Sequence, residues 1–198
     1  MPERHATFIK PMECLPVAKL PSGPDWIYQV KLDGYRAIAV KARGKATLFS
    51  RRRNSLNRKF PTIAEALTSL PDGTVTDGEI VALDADGRPN FHLLTRGKAP
   101  VYFYIFDLLY LENRNLVGIP LLGRRNALKT MSIDPPLRVL EYFQTSAEEM
   151  LATVQHFGFE GVVAKRVNSI SRRLLPRSSS WSERKEVGCV IPNTLALS

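Results

Sequence analysis

Apolar and polar residues alternate along Trp26-Ile27-Tyr28-Gln29-Val30-Lys31. This period of two predicts a strand with Ile27, Gln29 and Lys31 on one face and Trp26, Tyr28 and Val30 on the other. Residues 37–41 and 46–50 read as two further strands, joined through Arg43-Gly44 as a hairpin. Residues 75–84 read as a strand that turns at Asp86-Gly87, and 101–111 are nearly all apolar or aromatic, as in a strand covered on both faces. Thr62 is the expected cap of a short helix over 63–70, stopped by Pro71-Asp72-Gly73. Residues 121–131 have helical spacing with a basic outer face. Ser146-Ala147-Glu148-Glu149 is a capping-box signal for a helix running to about Phe157, after which Gly158 ends it and 160–166 return as a strand. Residues 8–24 carry Pro11, Pro16, Pro21 and Pro24 and read as an extended leading segment. Many strands with few helices between them predict an α+β fold built on antiparallel sheets.

Charge changes this picture more than composition does. The 198 residues are 44% hydrophobic and 24% charged, ordinary values for one large globular domain or two small ones. The net charge of +9, with a pI near 9.8, favours a polyanionic partner. Residues 41–60 hold eight basic side chains (Lys41, Arg43, Lys45, Arg51, Arg52, Arg53, Arg58, Lys59) and no acid, which makes this stripe the expected nucleic-acid surface. Cys14 and Cys189 are too few and too far apart for a disulfide framework. His5, His92 and His156 lack metal-ligand spacing. No signal peptide or membrane-spanning run is evident, so a cytoplasmic, nucleoid-associated protein with no membrane partner is expected.

Candidate chemistry centres on Lys31-Leu32-Asp33-Gly34-Tyr35-Arg36, at the end of the first predicted strand. A lysine amine has a pKa of about 10.4 and is mostly protonated at neutral pH. It becomes a nucleophile where burial or neighbouring cations disfavour its charge. Downstream stand Ser50-Arg51, Asp77-Gly78-Glu79-Ile80-Val81, Tyr104-Ile105-Phe106-Asp107-Leu108-Leu109 and Glu160-Gly161-Val162-Val163-Ala164-Lys165. In order and general spacing these runs resemble the motifs of ATP-dependent DNA ligases and their relatives, the RNA ligases and mRNA capping enzymes. The resemblance is strongest to the adenylation domain of bacterial DNA ligases of the double-strand-break repair type.

That resemblance implies a ligase-type nucleotidyltransferase fold (ATP-grasp-like), with antiparallel sheets flanked by helices and an ATP cleft between them. It implies that Lys31 takes AMP from ATP as a phosphoramidate, for transfer to the 5′-phosphate of nicked DNA. Gln29 would read the adenine amino group, Arg36 the ribose, and Phe106 would stack on the purine. Arg51 would lie near the ribose and the DNA phosphate. Glu79 would hold the ribose or a divalent cation, and Glu160 would support magnesium or manganese. Lys165 and Lys185 would bind the nucleotide phosphates.

Three departures stand beside the resemblance. Gln29 occupies a position where relatives often carry glutamate, Arg52 and Arg53 replace an asparagine and a glycine, and Glu183 replaces the first lysine of the Lys-x-Lys pair that ends in Lys185. Residues 1–187 are expected to form the adenylation domain, with 1–24 as its leading segment and 188–198 as an irregular tail. That tail leaves no room for an oligonucleotide-binding barrel, which leaves three readings open: a truncated gene product, a half-ligase whose barrel comes from a separate protein, or a decayed copy. The competing readings are an RNA ligase or capping-type enzyme using the same nucleophile, and a non-catalytic module that binds DNA through the basic stripe.

Overall fold

A computed structural model describes residues 6–97, 99–171 and 187–190. The chain divides into two compact units. The larger draws on Met1–Met12, Asp33–Leu140 and Ile170–Leu174, the smaller on Glu13–Leu32, Glu141–Ser169 and Leu175–Ser198.

The larger unit is a six-stranded sheet. Strands β3 (Tyr35–Ala42), β4 (Lys45–Ser50), β5 (Thr74–Ala82), β6 (Val101–Leu111) and β7 (Arg114–Asn115) lie in the order β4-β3-β5-β6-β7, and β8 (Leu137–Val139) pairs parallel with β6. β3 and β4 meet through the expected Arg43-Gly44 turn, where both residues have positive φ. Ala37, Ala39, Leu48, Ile80, Phe103, Ile105 and Leu108 form a core on one face of this sheet. Helices α1 (Pro61–Ala66), α2 (Phe91–Arg96) and α3 (Leu121–Lys129) supply Ile63, Leu94 and Leu128 to it.

Two helix expectations need correction. Phe60, not Thr62, is the N-cap of α1: Pro61 takes the first helical position, where its missing N–H costs nothing. α3 has no basic outer face at Arg124 and Arg125, which are 2% and 1% exposed. Arg124 makes a two-pronged ion pair with Asp107 at 2.7 and 2.8 Å, and Arg125 donates to the Leu140 carbonyl at 2.5 Å. A buried guanidinium is tolerable when such partners replace water. Helix α2 was not expected from the sequence; Asn90 caps it by accepting from the Leu93 N–H at 3.1 Å.

The smaller unit holds a four-stranded sheet, ordered β1 (Leu15–Pro16), β10 (Val187–Val190), β9 (Gly161–Arg166) and β2 (Trp26–Lys31). β9 runs antiparallel to both β2 and β10, while β1 joins β10 in parallel. Residues 188–190 therefore belong to a strand and not to an irregular tail, because the free edge of β9 gives their backbone groups partners. Residues 191–198 lie outside the described residues. Helix α4 (Ala147–Phe157) packs Ala147, Met150 and Val154 against Tyr28, Val162 and Ala164. Its capping box forms as expected: the Glu149 N–H donates to Ser146 Oγ at 3.0 Å, and the Glu149 carboxylate accepts from the Ser146 N–H.

Gly78 has no room for a side chain: a Cβ there would meet the Tyr104 carbonyl oxygen at 2.5 Å and a Phe103 ring carbon at 2.6 Å. Gly78→Ala should cost about 1–3 kcal/mol through overpacking, read from urea denaturation, whereas Gly118→Ala, with no atom within 4 Å, should not. The Thr145 hydroxyl and then the Ser146 N–H hold the Glu149 carboxyl below the usual carboxylate range. Its folded value is depressed, so its contribution is present above the unfolded value, about pH 4.3, and is lost as pH falls through the folded value. Urea midpoints should accordingly show a shallower acid-side decline for Glu149→Gln than for the unaltered chain.

Candidate active site

In the smaller unit, register gathers the expected residues. β2 and β9 pair Lys31 with Gly161, Gln29 with Val163 and Ile27 with Lys165. Side chains of residues directly opposite project to the same face, so Lys31, Gln29 and Lys165 share one side of this sheet. Gly158 takes the left-handed conformation at the end of α4, with the Phe159 N–H donating to the Val154 carbonyl at 3.0 Å. This closure ends the helix and delivers Glu160 to the start of β9. There the Lys31 ammonium donates to Glu160 Oε1 in a salt bridge whose side chains are 26% and 31% exposed. Glu160 Oε2 is buried and has no hydrogen-bond partner among the described residues. Gln29 is almost fully buried, and its amide nitrogen donates to the Glu141 carbonyl at 3.3 Å.

In the larger unit, a second group lies across the sheet. Arg36 on β3 is paired with Glu79 on β5, and Glu79 with Tyr104 on β6, so the three side chains form a row on one face. Arg36 donates through Nε and Nη2 to the two carboxylate oxygens of Asp77 at 2.6 and 2.8 Å. Its guanidinium carbon lies 4.5 Å from the centroid of Phe106. Burial alone would push Arg36 down, but the Asp77 charge and hydrogen bonds, helped by Glu79 and Asp107, carry it above its ordinary value. This arginine is a fixed cation.

Phe106 owes its place to a bulge. Gly78 is opposite Ile105 and Asp77 is opposite Asp107, so Phe106 is the extra residue between them. An extra residue locally re-aims the side chains of a strand. Gly34, just before β3, packs its backbone on the Ile80 carbonyl: a Cβ at Gly34 would come within 2.2 Å of that oxygen. Arg51 follows Ser50, which pairs with Ala37, so it leaves β4 beside the Arg36 end of β3.

The described residues thus bring together Lys31, Gln29, Glu160 and Lys165 in one unit and Arg36, Glu79 and Phe106 in the other. Lys185 and Glu183 lie outside the described residues. Sequence reasoning did not single out Asp77, Asp107 or Arg124 as site-shaping residues. Asp77 stood inside a quoted motif, but nothing in the sequence pointed from Asp107 to Arg124, seventeen residues on in a helix.

The profile of the ATP dependent DNA ligase domain matches residues 11–185. The chain belongs to this family. It is 35% identical over 165 residues to the multifunctional non-homologous end joining DNA repair protein LigD of Mycobacterium tuberculosis, a match covering 81% of this chain and 21% of that protein. The chain therefore spans about a fifth of the length of that relative. A mycobacterial DNA ligase D complexed with ATP and MES superposes with a TM-score of 0.73 at 28% identity, over 92% of this chain and 60% of that one. The ligase domain of M. tuberculosis LigD gives a TM-score of 0.64 at 33% identity, covering 73% and 50% of the two chains.

Arg124→Ala leaves the Asp107 carboxylate without its buried partner, and should lower unfolding free energy by about 3–5 kcal/mol in urea. Removing both charges, as Arg124→Met with Asp107→Leu, should recover most of that loss.

Proposed function

We propose that this ligase domain carries out covalent nucleotidyl transfer, with Lys31 as the residue that accepts AMP from ATP, as a step in sealing nicked DNA during repair. The observation that carries the reading is the Lys31–Glu160 pair at the β2–β9 strand ends. An amine attacks only with its lone pair free, so the Lys31 ammonium must give up a proton first; the Glu160 carboxylate, which favours the charged ammonium while it is in contact, is the group placed to accept that proton. The Lys31 Nζ–P bond then forms at the α-phosphorus while the bond to the bridging oxygen breaks. Pyrophosphate leaves with the electron pair, and AMP remains on Lys31 as a phosphoramidate. AMP next passes to a DNA 5′-phosphate, and the adjacent 3′-hydroxyl displaces it.

The remaining roles follow from the chemistry of each group. The buried Gln29 amide suits recognition of the adenine edge, and Lys165 on the same sheet face suits an anionic phosphate. In the larger unit, Phe106 offers a ring to the purine, while Arg36 and Glu79 suit the ribose hydroxyls. Arg51 and Lys185 are assigned to phosphate.

A divalent cation fits Glu160, because its buried Oε2 lacks a donor among the described residues. Magnesium is the ion this donor set suits. That ion usually binds through one or two carboxylates and substrate phosphates, and it neutralises charge on the phosphate oxygens. Glu160, with Glu79 as a second candidate, would hold it.

Intact mass after incubation with ATP and magnesium tests the reading. The unaltered chain should gain an AMP-sized increment and Lys31→Ala none, while Glu160→Gln should form the adduct about a hundredfold more slowly. No increment on the unaltered chain, even after pyrophosphate treatment to strip bound AMP, would overturn it.

A further inference from the structure

The basic stripe contains a conformational anomaly. Among the described residues four non-glycine positions have positive φ, and two of them are arginines of this stripe: Arg43 at +52° and Arg53 at +65°. They flank β4, which is the edge strand of the larger unit's sheet. The left-handed region brings Cβ too close to the following carbonyl, so glycine, or less often asparagine, is the residue expected there.

The turn around Arg53 shows why the backbone has no alternative. The Arg53 N–H donates to the Ser50 carbonyl at 2.8 Å, the Ser50 N–H donates to the Asn54 carbonyl at 2.8 Å, and the Asn54 N–H donates to Ser50 Oγ at 3.1 Å. A tight turn followed by one left-handed residue that closes the strand pairing is the geometry of a three-residue hairpin loop, with glycine the usual occupant of its last place. Arginine stands there instead, directly after Arg51 and Arg52, and all three side chains are exposed.

Among the described residues, little else compensates for this choice. The Arg53 guanidinium lies 5.8 Å from the Phe8 ring centroid, near the outer limit of a cation–π interaction. Among the described residues it forms no ion pair with a carboxylate. At Arg43, by contrast, the turn is held by the Asp72 carboxylate, which accepts from the Arg43 and Gly44 N–H groups at 2.8 and 2.9 Å. A residue that strains its backbone without a strong internal partner points to a gain outside the folded chain. The exposed Arg52 and Arg53 guanidiniums carry forked donors on one tight turn, which is the geometry that matches phosphate oxygens.

We propose that the Arg51–Arg53 turn is a clamp for the phosphate backbone of nucleic acid, in which Arg52 and Arg53 each engage a phosphate beyond the one assigned to Arg51. It depends on the proposed function only for the choice of nicked duplex as probe. Each phosphate neutralised releases condensed counterions, so a variant that leaves one phosphate unpaired should have a salt slope shallower by roughly 0.9.

The test measures binding of the full chain to a nicked DNA duplex across salt concentrations, together with the melting temperature of each variant. Arg53→Gly should melt at or above the unaltered chain, by up to about 2–4 °C, yet bind more weakly, with the salt slope of one fewer neutralised phosphate. Arg53→Lys keeps charge and backbone strain and should retain the slope. Arg52→Ala should show the shallower slope without the gain in melting temperature. An unchanged slope in Arg53→Gly, or a fall in its melting temperature, would overturn the proposal; the second outcome would assign Arg53 to stability through Phe8. Lysyl-AMP formation by the unaltered chain, measured in parallel, separates failure of this proposal from failure of the proposed function.

Discussion

Two carboxylates facing one another across neighbouring strands set the constraint on which the larger unit is built. Asp77 and Asp107 are directly opposed on β5 and β6, and like charges in that position repel. Each is gripped by its own arginine, Arg36 on Asp77 and Arg124 on Asp107, through paired hydrogen bonds. The opposition exists only because Phe106 is bulged out. Were Phe106 paired regularly with Asp77, Asp107 would face Thr76, and its carboxylate would point into the apolar core around Ile80 and Ile105. Bulge, acid pair and arginines are therefore one device. Its product is an immobile Arg36 guanidinium lying on the Phe106 ring.

The smaller unit reaches a comparable result by simpler means. Here the Lys31–Glu160 pair is set by register alone, since Lys31 ends β2 opposite Gly161 and Glu160 immediately precedes it. The left-handed Gly158 and the capping box at Ser146 fix where α4 starts and stops, and so fix which residue arrives beside Lys31. A one-residue shift at either end of this helix would bring a different side chain to the lysine. Local capping chemistry is thus linked directly to the carboxylate that contacts Lys31.

This contrast explains what was legible in the sequence. Alternation revealed β2, the Arg43-Gly44 turn the β3–β4 hairpin, a continuous apolar run β6 and the Ser146–Glu149 pair α4, because each signal is contained within a few adjacent residues. The Lys31 and Glu160 runs stood out for the same reason, and the fold brings the two side chains into contact. The bulge at Phe106 was hidden, since an extra residue is defined by its partner strand and not by its own neighbours. The burial of Arg124 and Arg125 was hidden too: a charged residue on a helix reads as solvated unless its distant partner is known. Strand β10 escaped notice because its four residues carry a weak pattern and gain their place only by pairing with β9 and β1.

Glycine shows how local rules and function part company in this chain. At Gly34 and Gly78 the requirement is space, because backbone oxygen atoms of Ile80 and Tyr104 occupy the volume a side chain would need. Both glycines hold the strands that carry Arg36 and Glu79, so obeying the local rule serves the site. At Arg43 and Arg53 the requirement is conformation, and a long cationic side chain stands where glycine would be easiest. Asp72 restrains the first turn; the second keeps its hydrogen bonds but leaves its arginine facing water. Sequences agree with their folds at every level except where another demand outweighs local preference. Around β4 that demand is positive charge: this edge carries much of the chain's basic excess in residues 41–60, and its two turns accept strain to hold it.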